Sequence, residues 1–321
     1  MVEKIKVAVI FGGRSGEHEV SLLSAQSVMA ALDPEKYDII PVGITRSGEW
    51  MVGADPMAAL SAEDYTALQP AAILADPSKK GLWTADRLDA DTENSRQDIT
   101  QQDTSHAMDN LTTLSRVDVV FPVLHGTYGE DGTVQGLLEL ADVPYVGAGV
   151  LCSAVAMDKI IFKDVVKSHG LPVAPHIWTT RKHWRAEADA VMDEVEEKLG
   201  YPVFTKPANL GSSVGIMKCR NRAELLTGLI EALRYDRRVL VEWAVPSARE
   251  IEVSVLGNEE PMASVPGEIV PKREFYDYIA KYLADGEEVS DLIIPAPLET
   301  EVTERIKALA VAAYKAIDGA G

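Results

Sequence analysis

The sequence predicts an α/β fold that begins with a parallel, doubly wound sheet. Residues 5–11 (IKVAVIF) form an apolar, β-branched run that ends in two glycines, and residues 17–32 follow with apolar side chains at helical spacing. Residues 38–44 and 117–123 are two more apolar runs of strand length. Strands that alternate with helices are typical of a parallel sheet, because a helix returns the chain to the start of the next strand.

A second pattern begins near residue 148 and predicts an α+β region. Its elements are two helices, a strand, a loop rich in glycine and serine and a last amphipathic helix, at residues 150–168, 184–199, 202–207, 209–215 and 299–317. Residues 76–115 are rich in Asp, Thr, Gln and Ser and have no sustained periodicity. We expect them to form a solvated insertion, or a mobile excursion, on the first domain.

The charge and composition exclude several classes of protein. A formal net charge of -19 argues against nucleic acid and anionic lipid as partners. The sequence lacks an apolar run of the roughly 18 residues that a membrane span needs. Its two cysteines cannot form a disulfide framework, which favours a reducing, cytoplasmic location.

Two glycine-rich turns follow predicted strands and are candidates for a ligand site. Residues 12–19 (GGRSGEHE) lead into a helix, and the carboxylate of Glu17 can bind a substrate ammonium group. The alternative is that its charge only complements the helix dipole. Residues 125–132 (HGTYGEDG) start with His125, which is either a ligand-binding side chain or a structural one. Ligands in doubly wound folds bind at the carboxyl ends of the strands, where both turns lie.

Lysines at two positions are candidates for binding phosphate. Lys206 ends an apolar strand, where its charge requires an anion or a carboxylate partner. The loop at 209–215 (NLGSSVG) supplies backbone N–H groups and hydroxyls that suit phosphate oxygens. Lys159 can share the same triphosphate, although an exposed surface lysine is the alternative interpretation.

Two later segments complete the set of candidates. Residues 242–245 (EWAV) lie where a strand becomes a loop, which exposes backbone groups that can bind an adenine edge. Glu250 can bind a ribose hydroxyl, whereas Glu252 fits the exposed side of a strand. Residues 275–282 (FYDYIAKY) have no clear period and predict a lid loop, with core packing as the alternative for each tyrosine.

Taken in this order, the motifs GGRSGEHEVS, LHGTYGEDGTVQG, MDK, FTKPANLGSSVG and FYDYIAKY resemble the D-alanine–D-alanine ligases of the ATP-grasp superfamily along nearly the whole chain. The resemblance implies a Rossmann-like pre-ATP-grasp domain over residues 1–147. A nucleotide-clamping domain over 148–242 then follows, and a C-terminal ATP-grasp domain over 243–321 with a lid at about 274–290.

The resemblance also assigns a role to each matching residue. In the substrate site, Glu17 binds the ammonium of the first D-alanine, His125 lies beside it, and Ser212, Tyr276 and Tyr282 complete the site. Glu17, Ser212 and Tyr282 form the catalytic network. The implied ATP-binding residues are Lys159, Lys206, Ser213, Glu242, Trp243, Val245, Glu250 and Lys281.

The implied reaction is the ATP-dependent condensation of two D-alanines through a D-alanyl phosphate, in the synthesis of a peptidoglycan precursor. Relatives that make a D-alanyl-D-lactate ester depart from the tyrosine pattern of this lid, so we expect the dipeptide. The implied partners are D-alanine, ATP, two Mg²⁺ or Mn²⁺ ions and a second copy of the chain.

The C-terminal part of the family pattern is not found in this sequence. Family members continue with an arginine-containing strand and with Asp, Glu and Asn ligands for the metal ions, which would lie beyond Gly321. We therefore expect a truncated ATP-grasp fold without metal ligands and an inactive chain at this length.

Three alternatives stay open at this point. One is an ATP-grasp carboxylate–amine ligase with a different acceptor, and another is a nucleotide-binding module without catalysis. The third is a dehydrogenase, which is disfavoured because the G-x-G-x-x-G pattern is absent from the first turn.

Overall fold

The computed structural model describes residues 3–85, 111–272 and 290–321. These residues divide into two compact units. The first consists of Met1–Gly129 and Thr133–Gly147, and the second of Glu130–Gly132 and Ala148–Gly321. None of the helices in the described ranges is both long and apolar enough to cross a membrane.

The first unit is built on a five-stranded sheet with the order β4-β3-β2-β1-β8. Its strands are β1 (Ile5–Gly12), β2 (Tyr37–Ile44), β3 (Trp50–Gly53), β4 (Leu68–Pro70) and β8 (Val119–Val123). β1 is parallel to β2 and to β8, as the sequence predicted. The two strands at one edge, β3 and β4, are antiparallel additions that the sequence pattern did not indicate.

The apolar run of β1 is continuous because both faces of this sheet are covered. Ala8 and Ile10 pack in one core cluster, whereas Val7, Val9 and Phe11 pack in another. Alternate side chains of a strand point to opposite faces, so a strand that is buried on both sides needs apolar residues throughout. The helices of this unit are α1 (His18–Ala31), α2 (Pro56–Ala62) and α3 (Thr133–Leu140).

The described residues of the segment 76–115, which we predicted to be a solvated insertion or a mobile excursion, include two strands. β6 (Leu82–Ala85) pairs antiparallel with β7 (Leu111–Ser115), and also with β5 (Ala72–Ile73), to form a small sheet. Leu82 is 1% exposed and belongs to the core of the unit. Strands this short leave too few positions for an alternating pattern to be recognised in the sequence.

The second unit begins with a four-stranded antiparallel sheet in the order β11-β10-β12-β9. Its strands are β9 (His176–Thr180), β10 (Val203–Pro207), β11 (Met217–Cys219) and β12 (Arg238–Trp243). The helices before and between them are α4 (Val150–Met157), α5 (Lys159–Ser168), α6 (Arg181–Ala186), α7 (Ala188–Lys198) and α8 (Arg222–Tyr235). The remaining elements are β13 (Glu250–Glu252), β14 (Val255–Leu256), β15 (Met262–Ala263), β16 (Gly267–Val270), β17 (Asp291–Ile293) and α9 (Thr300–Ala316).

The two faces of the four-stranded sheet have different roles. Val203, Val239 and Val241 face the core formed with α7 and α8. The opposite face carries Lys206 and Glu242, because side chains alternate along β10 and β12. This second face carries the charged groups of the candidate site.

Two helices predicted as continuous are interrupted in the structure. The helix expected at 150–168 ends at Met157 and starts again at Lys159, because Asp158 takes an extended backbone conformation and caps α5. The helix expected at 184–199 is likewise two helices, separated at Glu187. Helical periodicity continues across both breaks in the sequence and therefore conceals them.

Candidate active site

The first glycine turn depends on residues that lack a side chain. Gly12 and Gly13 end β1 with φ values of +89° and +101°, a region that favours glycine. A β-carbon on Gly12 would lie 2.4 Å from the carbonyl oxygen of Ile44. The N–H of Gly13 donates to that same oxygen at 2.8 Å, so the turn is held tightly against β2.

Glu17 lies at the start of α1, beside the second glycine turn. Its N–H donates to Ser15 Oγ at 2.9 Å, which fixes the backbone of the residue. A β-carbon on Gly126 would lie 2.3 Å from Glu17 Oε2 and 2.8 Å from Ser15 Oγ. The structure therefore brings the two predicted turns into direct contact, and the contact requires glycine at position 126.

The two histidines near these turns have different surroundings. His125 follows β8, and its Nε2 lies 2.9 Å from Ser24 Oγ on α1. His18 is 2% exposed, and its Nδ1 lies 2.8 Å from the carbonyl oxygen of Gly13. His18 thus stabilises the turn from inside the core, whereas His125 lines the cavity next to it.

A cavity of about 230 Å³ lies between the two turns within the first unit. Its polar rim includes Arg14, whose guanidinium carbon is 4.6 Å from the centre of the Tyr128 ring. Its apolar wall includes Trp50, Leu124 and Leu137. The cavity is small and also has Ser15 and Thr127 in its lining, which suits a small polar ligand.

The second unit holds Lys206 in a charged cluster with Glu242. Lys206 Nζ lies 2.5 Å from Glu242 Oε2, and Lys163 Nζ forms an ion pair with Glu242 Oε1. Burial acts to raise the pKa of Glu242, but the two lysines outweigh it and hold the pKa below its ordinary value. Glu242 is therefore a buried, ionised carboxylate with a cation on each oxygen.

Asp158 organises the start of α5, where Lys159 lies. Its Oδ1 accepts hydrogen bonds from the N–H groups of Ile160 and Ile161, both at 3.1 Å. Its Oδ2 accepts a hydrogen bond from Asn209 Nδ2 at 3.1 Å and forms an ion pair with Arg238. Burial raises the pKa of this carboxyl, but these hydrogen bonds and the arginine outweigh burial and leave the pKa lowered.

The backbone around Lys159 connects α5 to the glycine-serine loop. The N–H of Lys159 donates to Ala208 O at 3.0 Å, and its Nζ donates to Leu210 O at 2.5 Å. Ser212 and Ser213 have φ values of 49° and 59°, so the chain turns sharply within the predicted phosphate loop. Lys159 is thus hydrogen-bonded to the loop that contains Ser212 and Ser213, as a shared phosphate site requires.

A second cavity, of about 450 Å³, is lined by two of the four predicted adenine and ribose residues and not by Glu242 or Trp243. Val245 and Glu250 line it, together with Phe204 and the ion pair of Arg249 with Glu268. Trp243 is adjacent in sequence, but its N–H donates to Pro175 O at 2.9 Å and is not available to a ligand. The lid candidates Tyr276, Lys281 and Tyr282 lie outside the described residues.

The sequence did not single out Lys163, Asp158, Asn209 or Arg238. Lys163 lies four residues after Lys159, on the same face of α5, and this spacing was the available signal. Arg238 and Asp158 are 80 residues apart, so no local pattern relates them.

The class of protein follows from solved structures that resemble this chain. The VanG D-Ala:D-Ser ligase from Enterococcus faecalis matches with a TM-score of 0.79 and 35% identity, over 99% of this chain and 84% of that one. The D-alanine-D-alanine ligase from Coxiella burnetii matches with a TM-score of 0.76 and 30% identity, over 100% of this chain and 79% of that one. The fold is that of the ATP-grasp ligases.

Sequence comparison then specifies the family. The family model described as D-ala D-ala ligase N-terminus matches residues 6–148, and the one described as D-ala D-ala ligase C-terminus matches residues 165–321. The D-alanine--D-alanine ligase of Natranaerobius thermophilus is 46% identical over 318 residues, which cover 99% of this chain and 80% of that ligase. The chain belongs to the D-alanine–D-alanine ligase family, as its motifs predicted.

Proposed function

We propose that the protein joins two D-alanines to D-alanyl-D-alanine for peptidoglycan synthesis and converts ATP to ADP and phosphate. The observation that carries this proposal is the contact of Glu17 with Gly126 beside a small cavity in the first unit. A carboxylate beside the turns that line a cavity of that size suits the ammonium group of a small amino acid. The second unit supplies lysines for a nucleotide.

The reaction has two steps. A carboxylate oxygen of the first D-alanine attacks the γ-phosphorus, and the bond to the β,γ-bridging oxygen breaks, which releases ADP and leaves D-alanyl phosphate. The second D-alanine loses an ammonium proton, its amine attacks the acyl carbon, and phosphate leaves with the electrons of the C–O bond. The protein must stabilise negative charge in the first step and exclude water from the acyl phosphate in the second.

The proposed residues have three kinds of role in this chemistry. Glu17 binds the ammonium of the first D-alanine, with His125 beside it, and Ser212, Tyr276 and Tyr282 act with Glu17 around the reacting groups. Lys159, Lys206, Ser213 and Lys281 stabilise the phosphates. The base and ribose are bound by the segment that contains Glu242, Trp243, Val245 and Glu250.

We propose that the ATP is bound with Mg²⁺ or Mn²⁺, two ions in all. Within residues 3–85, 111–272 and 290–321 no cluster of three or more His, Cys, Asp or Glu side chains is arranged to hold a metal. The protein is a cytoplasmic homodimer, and its second unit comprises two domains, over 148–242 and 243–321.

One alternative acceptor has an observation in its favour. The structural match to the VanG ligase is a match to a protein named for D-Ala:D-Ser ligation, so D-serine is a second candidate for the acceptor. The intact protein is given ATP and equal concentrations of D-alanine, D-serine and D-lactate, and its products are identified by mass spectrometry. We expect mainly D-alanyl-D-alanine. A dominant D-alanyl-D-serine or ester product would contradict the proposed acceptor.

The role of Glu17 is tested with a matched pair of variants. Glu17→Gln is expected to raise the KM for D-alanine about 100-fold, because a neutral amide no longer pairs with the ammonium, roughly the cost of removing a charged hydrogen bond. Glu19→Gln removes the same charge two residues further along the chain, where the side chain pairs with Arg46. The KM of this variant for D-alanine is expected to stay within about threefold of the parent value. Equal effects of the two changes would contradict the assignment.

A further inference from the structure

Glu242 is shared by two lysines that come from different elements. Lys206 lies on β10 and approaches one carboxylate oxygen at 2.5 Å, whereas Lys163 lies on α5 and approaches the other oxygen. The side chains of Lys163, Lys206 and Glu242 are 17%, 23% and 11% exposed. The cluster is therefore mostly removed from water, but it is still reachable from the face of the sheet that carries the candidate site.

The charges of this cluster do not cancel. One carboxylate faces two ammonium groups, which leaves one positive charge in a partly buried position. A single lysine would suffice to pair with Glu242, and a second buried cation adds a desolvation cost. A second lysine is useful if one of the two has to leave the carboxylate.

Of the two lysines, Lys206 is the one that we expect to leave the Glu242 carboxylate. It is the proposed ligand of the nucleotide phosphates, and β10 runs directly into the glycine-serine loop at residues 209–215. Lys163 is carried on α5 about 6 Å along the helix axis from Lys159, which is the other proposed phosphate ligand. If Lys206 turned toward a phosphate with no other cation present, Glu242 would become a buried carboxylate without a partner, which is strongly unfavourable.

We propose that Lys163 is a positioning residue that holds Glu242 while Lys206 is transferred from this carboxylate to the nucleotide phosphates. This inference rests on the proposed function, because it requires Lys206 to bind phosphate. Lys163 keeps Glu242 paired in both states, so that the transfer exchanges one anionic partner of Lys206 for another. Without Lys163, Glu242 retains Lys206 and competes with the nucleotide.

The test compares nucleotide binding with nucleoside binding by isothermal titration calorimetry. ATP, ADP and adenosine are titrated into the intact protein and into Lys163→Gln. We expect the variant to bind ATP and ADP about tenfold more weakly and adenosine within about twofold, because only phosphate binding requires Lys206 to move. Lys167→Gln removes a charge from the next turn of the same helix, at an exposed position, and is expected to bind all three ligands like the parent protein.

A second change separates the proposed exchange from a packing role. Glu242→Gln releases Lys206, so combining it with Lys163→Gln is expected to restore the ratio of ATP affinity to adenosine affinity to within about threefold of the parent value. Additive losses in the double variant, or equal weakening of adenosine and ATP in Lys163→Gln, would overturn the proposal. If Lys163→Gln does not fold, Glu242→Gln alone tests the proposal. A loss of ATP affinity in Glu242→Gln without a loss of adenosine affinity would contradict a competition between Glu242 and the nucleotide phosphates for Lys206. A folded parent protein that binds no ATP would instead refute the proposed function.

Discussion

The carboxylate of Glu17 occupies the space that a side chain at Gly126 would fill: a β-carbon there would lie 2.3 Å from Oε2. Gly126 belongs to the turn after β8, and Glu17 to the turn after β1. Because β1 and β8 are parallel neighbours, their carboxyl ends meet at one edge of the sheet. The sheet topology therefore brings the two turns to the same edge, where these residues meet.

Gly126→Ala is expected to impair the D-alanine site selectively. The added methyl group displaces the Glu17 carboxylate, so we expect the KM for D-alanine to rise at least tenfold while ATP affinity stays unchanged. Gly170→Ala is the control, because Gly170 has a φ of +76° against +72° for Gly126 and nothing within 4 Å of the added atom. Steady-state kinetics with both variants check this, and comparable KM values for the two would contradict the contact.

Asp158→Ala is expected to destabilise the second unit. The change removes the cap of α5 and leaves the partly buried Arg238 without its partner, at a combined cost of about 3 to 5 kcal/mol. Asp189→Ala removes an aspartate–arginine pair at the surface, where Asp189 is 89% exposed, and is expected to cost less than about 0.5 kcal/mol. Urea denaturation measures both changes, and a similar cost for the two would show that Asp158 is not a structural centre.

The stability of the protein is expected to fall as the pH drops below about 4.5. Asp158 and Glu242 both have folded-state pKa values below their ordinary ones. A depressed pKa contributes stability that is present above the unfolded pKa, roughly 4 for these groups, and that is lost as the pH falls through the folded pKa. Urea denaturation at pH 7, 4 and 3 should show a shallower loss in Glu242→Gln than in the parent protein, and parallel losses would count against this carboxylate as a contributor.

Two changes at Ser213 separate the loss of its hydroxyl from the backbone conformation. Ser213 has a φ of 59°, a left-handed conformation that disfavours any residue with a β-carbon by roughly 1 kcal/mol. Ser213→Gly and Ser213→Ala both lose the hydroxyl and are expected to weaken ATP binding equally, by about three- to tenfold. Only the glycine variant should have a higher Tm, because serine and alanine both carry a β-carbon. Different ATP affinities in the two variants would mean that the backbone, and not the hydroxyl, controls binding.

The first half of the fold was predictable because its patterns are local and unambiguous. Residues 5–11 form a strand because every side chain except that of Lys6 is apolar, and this run meets two glycines that end it. Gly126 and Glu17 could be placed near each other from the rule for the carboxyl ends of parallel strands. Their contact itself depends on how the two turns pack, which the sequence does not indicate.

The second unit was harder to predict because its important contacts are long-range. Asp158 breaks a helix whose apolar periodicity continues on both sides, and the break is stabilised by Arg238, 80 residues further along the chain. In the sequence, Lys163 cannot be distinguished from a surface lysine. Its ion pair with Glu242 depends on the position of β12 in the folded chain. The sequence identifies charged residues near a site, but not which of them share a partner.

ADP release by the intact protein when D-alanine is added to ATP is the direct test of the proposed reaction. We expect ADP, phosphate and D-alanyl-D-alanine in equal amounts, with no ADP release when L-alanine replaces D-alanine. A folded protein that binds ATP but releases no ADP with D-alanine would contradict the proposed reaction.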